Sequence, residues 1–264
     1  MLAGFLGSLT GLGGGVIVTP VLTLVLGVDF HYAIGATLVS VIATSSGAAA
    51  AYVKEGFSNI RAGMFLEIAT TLGALAGAHL TAVIPTSALA IIFGAVLLYS
   101  AWNTLQPAAS AKERAPDPLA VRLQLNSAYP GPQGPIQYQV SRVKAGFGVM
   151  FGAGMLSGLL GIGSGALKVV AMDQIMRFPF KVSTTTSNFM IGVTAAASAG
   201  IYLSRGYIDP GLAMPVMLGV LAGSMLGATR LIGAKTRALR LVFAGVVAVL
   251  AVEMIYNGFS GGFR

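Results

Sequence analysis

Residues 7–22 read GSLTGLGGGVIVTPVL, and residues 157–172 read SGLLGIGSGALKVVAM. Each places a cluster of glycines in the middle of an apolar stretch. Glycine costs about 1 kcal/mol relative to alanine inside a helix, so the clusters GLGGG (11–15) and GIGSG (161–165) mark points where a helix stops. They lie at a fixed offset of 150 residues, and the same offset keeps working outward. It pairs Phe30 with Phe180, Tyr52 with Tyr202, Gly56 with Gly206, Gly73 with Gly223 and Phe93 with Phe243. A gap-free match of this length predicts two homologous halves.

The chain has 264 residues, of which 55% are hydrophobic and 9% charged, with a mean hydropathy of +0.82. Soluble domains carry about 25% charged residues, so an integral membrane protein is expected. Apolar runs of spanning length recur along nearly all of it, so the first is not expected to be a cleaved signal peptide. There is no cysteine, which excludes disulfides, thiol catalysis and cysteine-ligated metals. The net charge of +8 sits in short loops, which ties it to topology rather than to nucleic acid. No Walker A loop or dinucleotide fingerprint is present. Two histidines without carboxylate neighbours make a poor metal site. With no His-Asp-Ser set and no paired carboxylates at one depth, an enzyme is not expected, nor is a cofactor or metal.

Each half holds four apolar segments: 2–26, 33–53, 63–84 and 87–106, then 145–176, 183–204, 210–231 and 239–257. This divides the chain into a first transmembrane repeat (1–106), a polar, proline-rich linker (107–144) and a second transmembrane repeat (145–264). VRLQL (121–125) and IQYQV (136–140) alternate around YPGPQGP (129–135), which predicts a small β-hairpin on the membrane surface. If every segment crossed the bilayer, positive charge would be split between the two faces. If each glycine-bearing segment instead dips in and returns, each half crosses three times and the halves are inverted. One face then collects every lysine and arginine except Arg205 and Arg264 opposite, and Lys168 within a segment. Cytoplasmic loops carry that excess. The expectation is an all-α, multi-pass protein of the inner membrane. It has two inverted-topology repeats, each with one broken glycine-rich hairpin and three transmembrane helices. The linker is cytoplasmic and both termini are outside.

Interrupted helices at corresponding positions of inverted halves point to a transport site near the midplane. Half-helices starting near Val16 and Ala166 would aim unpaired N–H groups and partial positive charge at an anion. The candidate binding residues are Gly13, Gly14 and Gly15 of the first turn, and Gly163, Ser164 and Gly165 of the second. Lys168 follows one turn on. A midplane lysine costs about 2.5–3.5 kcal/mol on insertion scales, which a bound anion would offset; pairing with Asp173 or snorkelling is the alternative. The next segments, ATLVSVIATSSG (36–47) and STTTSNFMIGVT (183–194), supply hydroxyl and amide donors, with Thr37, Ser187 and Asn188 as candidates. Asp173 and Glu67, the latter one turn inside the cytoplasmic boundary, are candidate coupling carboxylates for protons or another ion.

The stretches SGLLGIGSGALKVVAM (157–172) and TTTSNFMIGVTAAASAG (184–200), with GSLTGLGGGVIVTPVL (7–22) in the first half, resemble the TauE/SafE family, the sulfite exporters. The likeness covers nearly the whole chain. It departs at Ser164, where the family pattern has a third glycine, and at Val170, where it has a proline. The resemblance implies a secondary transporter of sulfite or an organosulfonate such as sulfoacetate, working outward across the lipid bilayer. A passive anion channel, and a membrane scaffold acting through its cytoplasmic linker, remain the alternatives.

Overall fold

The computed structural model describes residues 1–10, 14–54, 56–105, 117–131, 134–161, 163–230 and 236–260. Helix α1 (Leu2–Thr10) stops before the first glycine cluster and α2 (Gly15–Pro20) starts after it. α2 runs on through a wider π turn at Val21–Val25. Helices α3 (Phe30–Lys54), α4 (Ile60–Leu80) and α5 (Thr86–Leu105) complete the first half. The second half repeats the plan with α7 (Val143–Leu160), α8 (Gly165–Val170), a π turn at Ala171–Ile175, α9 (Phe180–Ser204), α10 (Pro210–Arg230) and α11 (Thr236–Ser260). Between them lie α6 (Pro118–Arg122), β1 (Ser127–Gly131) and β2 (Gly134–Tyr138).

The backbone repeats as the sequence does. The starts of α2, α3 and α4 each return 150 residues later as the starts of α8, α9 and α10. Unusual dihedrals return with them: φ is +74° at Gly14 and +46° at Ser164, +64° at Gly27 and +65° at Arg177, +73° at Gly56 and +75° at Gly206. The π turn also survives where Val170 replaces Pro20. Its shape therefore does not depend on the missing N–H of a proline.

Packing crosses between the halves. α1 lies on α10 and α7 on α4; α3 lies on both α9 and α10, α9 on α4, and α5 on α11. Glycines permit this because they let backbones touch. A Cβ added at Gly154 would sit 2.1 Å from the Thr70 carbonyl oxygen, and one at its counterpart Gly4 2.0 Å from that of Val220. Apolar side chains turn outward instead. Met64, Ile68 and Leu72, spaced by four on α4, are all more than half exposed, as are Met214 and Leu218 on α10. Such outward stripes belong against lipid. Among the described residues, Ile60–Leu80, Val143–Leu160 and Pro210–Gly227 are long and apolar enough to cross a bilayer. Gly15–Val25, Thr86–Trp102 and Ala244–Ser260 are shorter apolar helices. α3 and α9 pack on each other, and most of their described serines and threonines are buried, Ser46 and Ser204 being exposed.

The linker holds the expected hairpin, with its second strand over part of IQYQV, but its first strand is not VRLQL. β1 pairs with β2 antiparallel, Ser127 opposite Tyr138 and Gly131 opposite Gly134. VRLQL is not a strand. Asp117 caps a helical turn there, its Oδ1 accepting from the Leu119 N–H at 2.9 Å, and Pro118 starts α6. Asp-Pro at the cap and first helical position outweighs the alternation. Asn59 fastens the hairpin to the bundle: its Nδ2 donates to the Leu125 carbonyl and to the Tyr138 hydroxyl, both at 2.8 Å. Its Oδ1 caps α4 through the Ala62 N–H, and its own N–H donates to Thr186 Oγ1 at 3.0 Å. Burial raises the Tyr138 phenol above its usual pKa.

Gly73→Ala would set a Cβ 2.1 Å from the Phe151 carbonyl oxygen and force α4 off α7. We expect a loss of about 3 kcal/mol or more, the upper end for overpacking, as a lower melting temperature in detergent. Gly148→Ala meets nothing within 4 Å and is expected to leave melting unchanged or raised.

Candidate functional site

α7 ends inside the protein. Gly161 adopts the left-handed conformation, φ +66°, and its N–H returns to the Ser157 carbonyl at 2.8 Å. That is a helix stop which glycine makes without strain. The Tyr202 hydroxyl lies 3.2 and 3.3 Å from the last carbonyls, Gly158 and Leu159, and 3.1 Å from Thr81 Oγ1. Buried helix ends need such partners. The turn is wedged between the long helices: a Cβ at Gly163 would meet Ile191 at 2.6 Å and Val41 at 3.1 Å, and one at Gly161 would meet Ile34 at 2.5 Å. α8 then starts at Gly165, with the Lys168 N–H bonded to the Ser164 carbonyl at 3.0 Å. The first turn follows the same plan. Gly14 takes φ +74°, and the N–H groups of Ile17 and Val18 return to its carbonyl at 3.1 and 3.2 Å. Gly15 is buried as the first residue of α2, while Gly13 lies outside the described residues.

The candidate hydroxyls tie each half-helix to the long helix after it. Thr19 Oγ1 donates to Thr37 Oγ1 at 2.9 Å. At the counterpart position Ser187 Oγ donates to the Gly165 carbonyl at 3.2 Å. Asn188 is buried beside them, its carbonyl accepting from Ser45 Oγ at 2.5 Å. Ser164 is different. Its Oγ is buried and has no hydrogen-bond partner among the described residues.

Lys168 is fully buried, and a carboxylate faces it. Its Nζ lies 3.7 Å from Glu67 Oε2 and donates to Thr194 Oγ1. Thr194 Oγ1 donates in turn to Glu67 Oε1 at 2.5 Å, and Thr71 Oγ1 reaches the same oxygen at 3.3 Å. Among the described residues, Glu67 Oε2 accepts no hydrogen bond. The ion pair therefore offsets the burial of the lysine, with α8 and α9 supplying one side and α4 of the other half the carboxylate. The partner is Glu67, not Asp173, which is buried in the π turn after α8. Glu67 is the eighth residue of α4, about two turns in. The residue that sequence reading passed over is Thr194, hidden in a run of hydroxyl residues. The sign available was its place on the α9 face three to four residues beyond Met190 and Ile191, both fully buried. The arrangement occurs once: offset by 150, Lys168, Thr194 and Glu67 correspond to Val18, Thr44 and Met217. Among the described residues no group of three or more His, Asp or Glu could hold a metal ion.

Two outcomes are expected. Ser164→Gly removes a side chain from φ +46° and loses no hydrogen bond, so melting should rise by about 1 kcal/mol of stability. Lys168→Met and Glu67→Gln each strand a buried charge, the carboxylate in the first and the ammonium in the second, and each should cost about 3–5 kcal/mol. The double variant should recover most of that loss, as read by a melting cycle.

The profile of the sulfite exporter TauE/SafE family matches residues 1–254. The chain is 27% identical over 265 residues to the "Probable membrane transporter protein YunE" of Bacillus subtilis (strain 168), covering 98% of this chain and 95% of the relative. It is 28% identical to the "Probable membrane transporter protein YdhB" of the same organism, covering 86% and 84%. It is 26% identical to a "Probable membrane transporter protein" of Xylella fastidiosa (strain 9a5c), covering 98% and 93%. No solved structure matches the chain significantly. The repeated broken helices, the lipid-facing stripes and this match over nearly the whole length agree: the chain is a membrane protein and belongs to the sulfite exporter TauE/SafE family.

Proposed function

We propose that this protein is a secondary transporter that moves a small sulfur-containing anion, sulfite or an organosulfonate such as sulfoacetate, outward across the inner membrane. It works by alternating access around the two glycine turns. The two halves form inverted repeats of three crossings each, the linker faces the cytoplasm and both termini lie outside. The observation that carries the reading is Lys168. A fully buried cation stands one turn from the tip of a broken helix, and at that tip the buried Ser164 hydroxyl has no partner. A lysine has three donor hydrogens. Thr194 takes one, and the carboxylate at 3.7 Å is beyond hydrogen-bond reach. Donors that are buried and unspent suit an oxyanion. Irregular backbone at this depth is tolerated where protein encloses it or a cavity meets it, and the second turn is enclosed by α3 and α9. The family match motivates the choice of sulfur oxyanions. The Thr37 hydroxyl and the Asn188 amide add donors around the turns, together with Gly13, Gly14, Gly15, Gly163 and Gly165, and the Ser187 hydroxyl joins them by turning its proton from the Gly165 carbonyl to the anion.

The test is a melting panel of sulfite, sulfate, thiosulfate, sulfoacetate and taurine on the purified protein, beside the Lys168→Met/Glu67→Gln double variant. A ligand at about 100 times its dissociation constant should stabilise the native chain by about 2.7 kcal/mol, and should not shift the double variant. If none of these anions shifts the native protein, the substrate assignment falls.

A further inference from the structure

The ion pair at Lys168 is built loosely for a structural one. Glu67 Oε1 accepts from two hydroxyls, Thr194 and Thr71, whereas Oε2 accepts from none and only faces the ammonium at 3.7 Å. One oxygen anchors the carboxylate and the other is left without a hydrogen bond. Thr194 stands between the charges as donor to one and acceptor from the other. A threonine hydroxyl has one proton and can turn it elsewhere; Thr70 Oγ1 at 3.4 Å and the Met190 carbonyl at 3.2 Å are within its reach.

Resting on the anion-transport reading above, we infer that Glu67 and the transported anion are alternative partners of Lys168, and that each anion enters with one proton on Glu67 Oε2. The reasoning is electrostatic. One cation in a low-dielectric interior holds one negative charge well; two would leave an uncompensated charge at high cost. When the site is empty, Glu67 supplies that charge. When an anion reaches Lys168, a proton taken from water binds Oε2, the oxygen with no competing hydrogen bond. The neutral carboxyl then keeps its Oε1 contacts with Thr71 and Thr194. On release of the anion the proton leaves and the pair re-forms. For a singly charged anion, such as hydrogen sulfite or a simple sulfonate, net charge in the site is the same in both states. The set occurs once per chain, because the counterparts of Lys168 and Glu67 in the repeat are Val18 and Met217. One proton per anion follows.

Among the described residues, Lys168 is the lysine or arginine set against Glu67. The other ionisable groups on the elements packed here are Lys144 in the first turn of α7, Lys181 and Tyr202 toward the two ends of α9, and Tyr99 of α5. Asp173 lies in the π turn beyond α8, and α4 itself adds Arg61 and His79 near its two ends.

Methanesulfonate is the probe, because it is a monoanion throughout about pH 5 to 8, so any proton moved belongs to the protein. Two measurements are made: methanesulfonate binding to the purified protein across that range, and internal pH of vesicles carrying it under a methanesulfonate gradient. For the native chain, binding should weaken as pH rises, by up to about tenfold per pH unit, and methanesulfonate flux should carry protons in the same direction. Glu67→Gln mimics the protonated carboxyl. Its binding should be independent of pH and its flux should carry no protons. Unchanged pH dependence or proton flux in Glu67→Gln overturns the assignment. Native flux without protons overturns the coupling but leaves anion transport standing, and that measurement decides alone if the variant does not fold. A native protein that binds and moves methanesulfonate not at all, and shows no shift in the anion panel, removes both readings.

Discussion

A backbone that stops being helical inside a bilayer has no water to satisfy it, so protein must surround it. Nearly everything in this fold answers that constraint. The helices α3 and α9 pack on each other and close around the second glycine turn, while at the first turn Gly14 lies against α1. Tyr202 meets the last carbonyls of α7, and Gly161 turns the chain without strain. The glycine contacts between α1 and α10 and between α7 and α4 bring the outer helices close enough to seal the enclosure. Hydroxyl-bearing positions that would be wasteful against lipid lie where they can reach backbone.

Charge obeys the same constraint more severely. A buried ammonium must be balanced nearby, and here the balance is drawn from the other half of the molecule. Glu67 belongs to α4 of the first half and Lys168 to α8 of the second. The two halves are thus held together by an electrostatic requirement as well as by glycine packing. The repeat does not extend to this pair: the backbone is duplicated, and its chemistry is not.

Much of the architecture was legible because its signals are local and categorical. Glycines in apolar sequence announce broken helices, and a constant offset announces duplication; both reappear as matching element starts and matching positive φ angles. The linker was harder. Alternation at VRLQL is a two-residue period and suggested a strand, but Asp117-Pro118 begins a helix and the local cap prevailed. The hairpin itself was readable from its prolines and glycines, and only its first strand was displaced. The partner of Lys168 was not readable. Asp173 is five residues away in sequence and Glu67 is on another helix of the other half, so choosing between them required the packing of α4 on α9. Thr194 was one hydroxyl among many, and only its position between two charges sets it apart.

The hairpin has no counterpart at the other end of the repeat. The loop at Phe57–Asn59 and the loop at Tyr207–Asp209 occupy matching places, and each sets a ring against the start of a long helix: Lys181 lies over Phe57 at 3.8 Å, and His31 stacks on Tyr207 at 4.9 Å. Only the first loop is also weighted by β1 and β2, through Asn59 and Tyr129. At that end Asn59 hydrogen-bonds to Leu125, Tyr138 and Thr186, whereas at the other Tyr207 packs on His31 and Tyr32 and Arg205 donates to the Ala78 and His79 carbonyls. A molecule made of two like halves is thus fastened differently at its two ends, by a hairpin and amide bonds at one and by stacked rings and a guanidinium at the other.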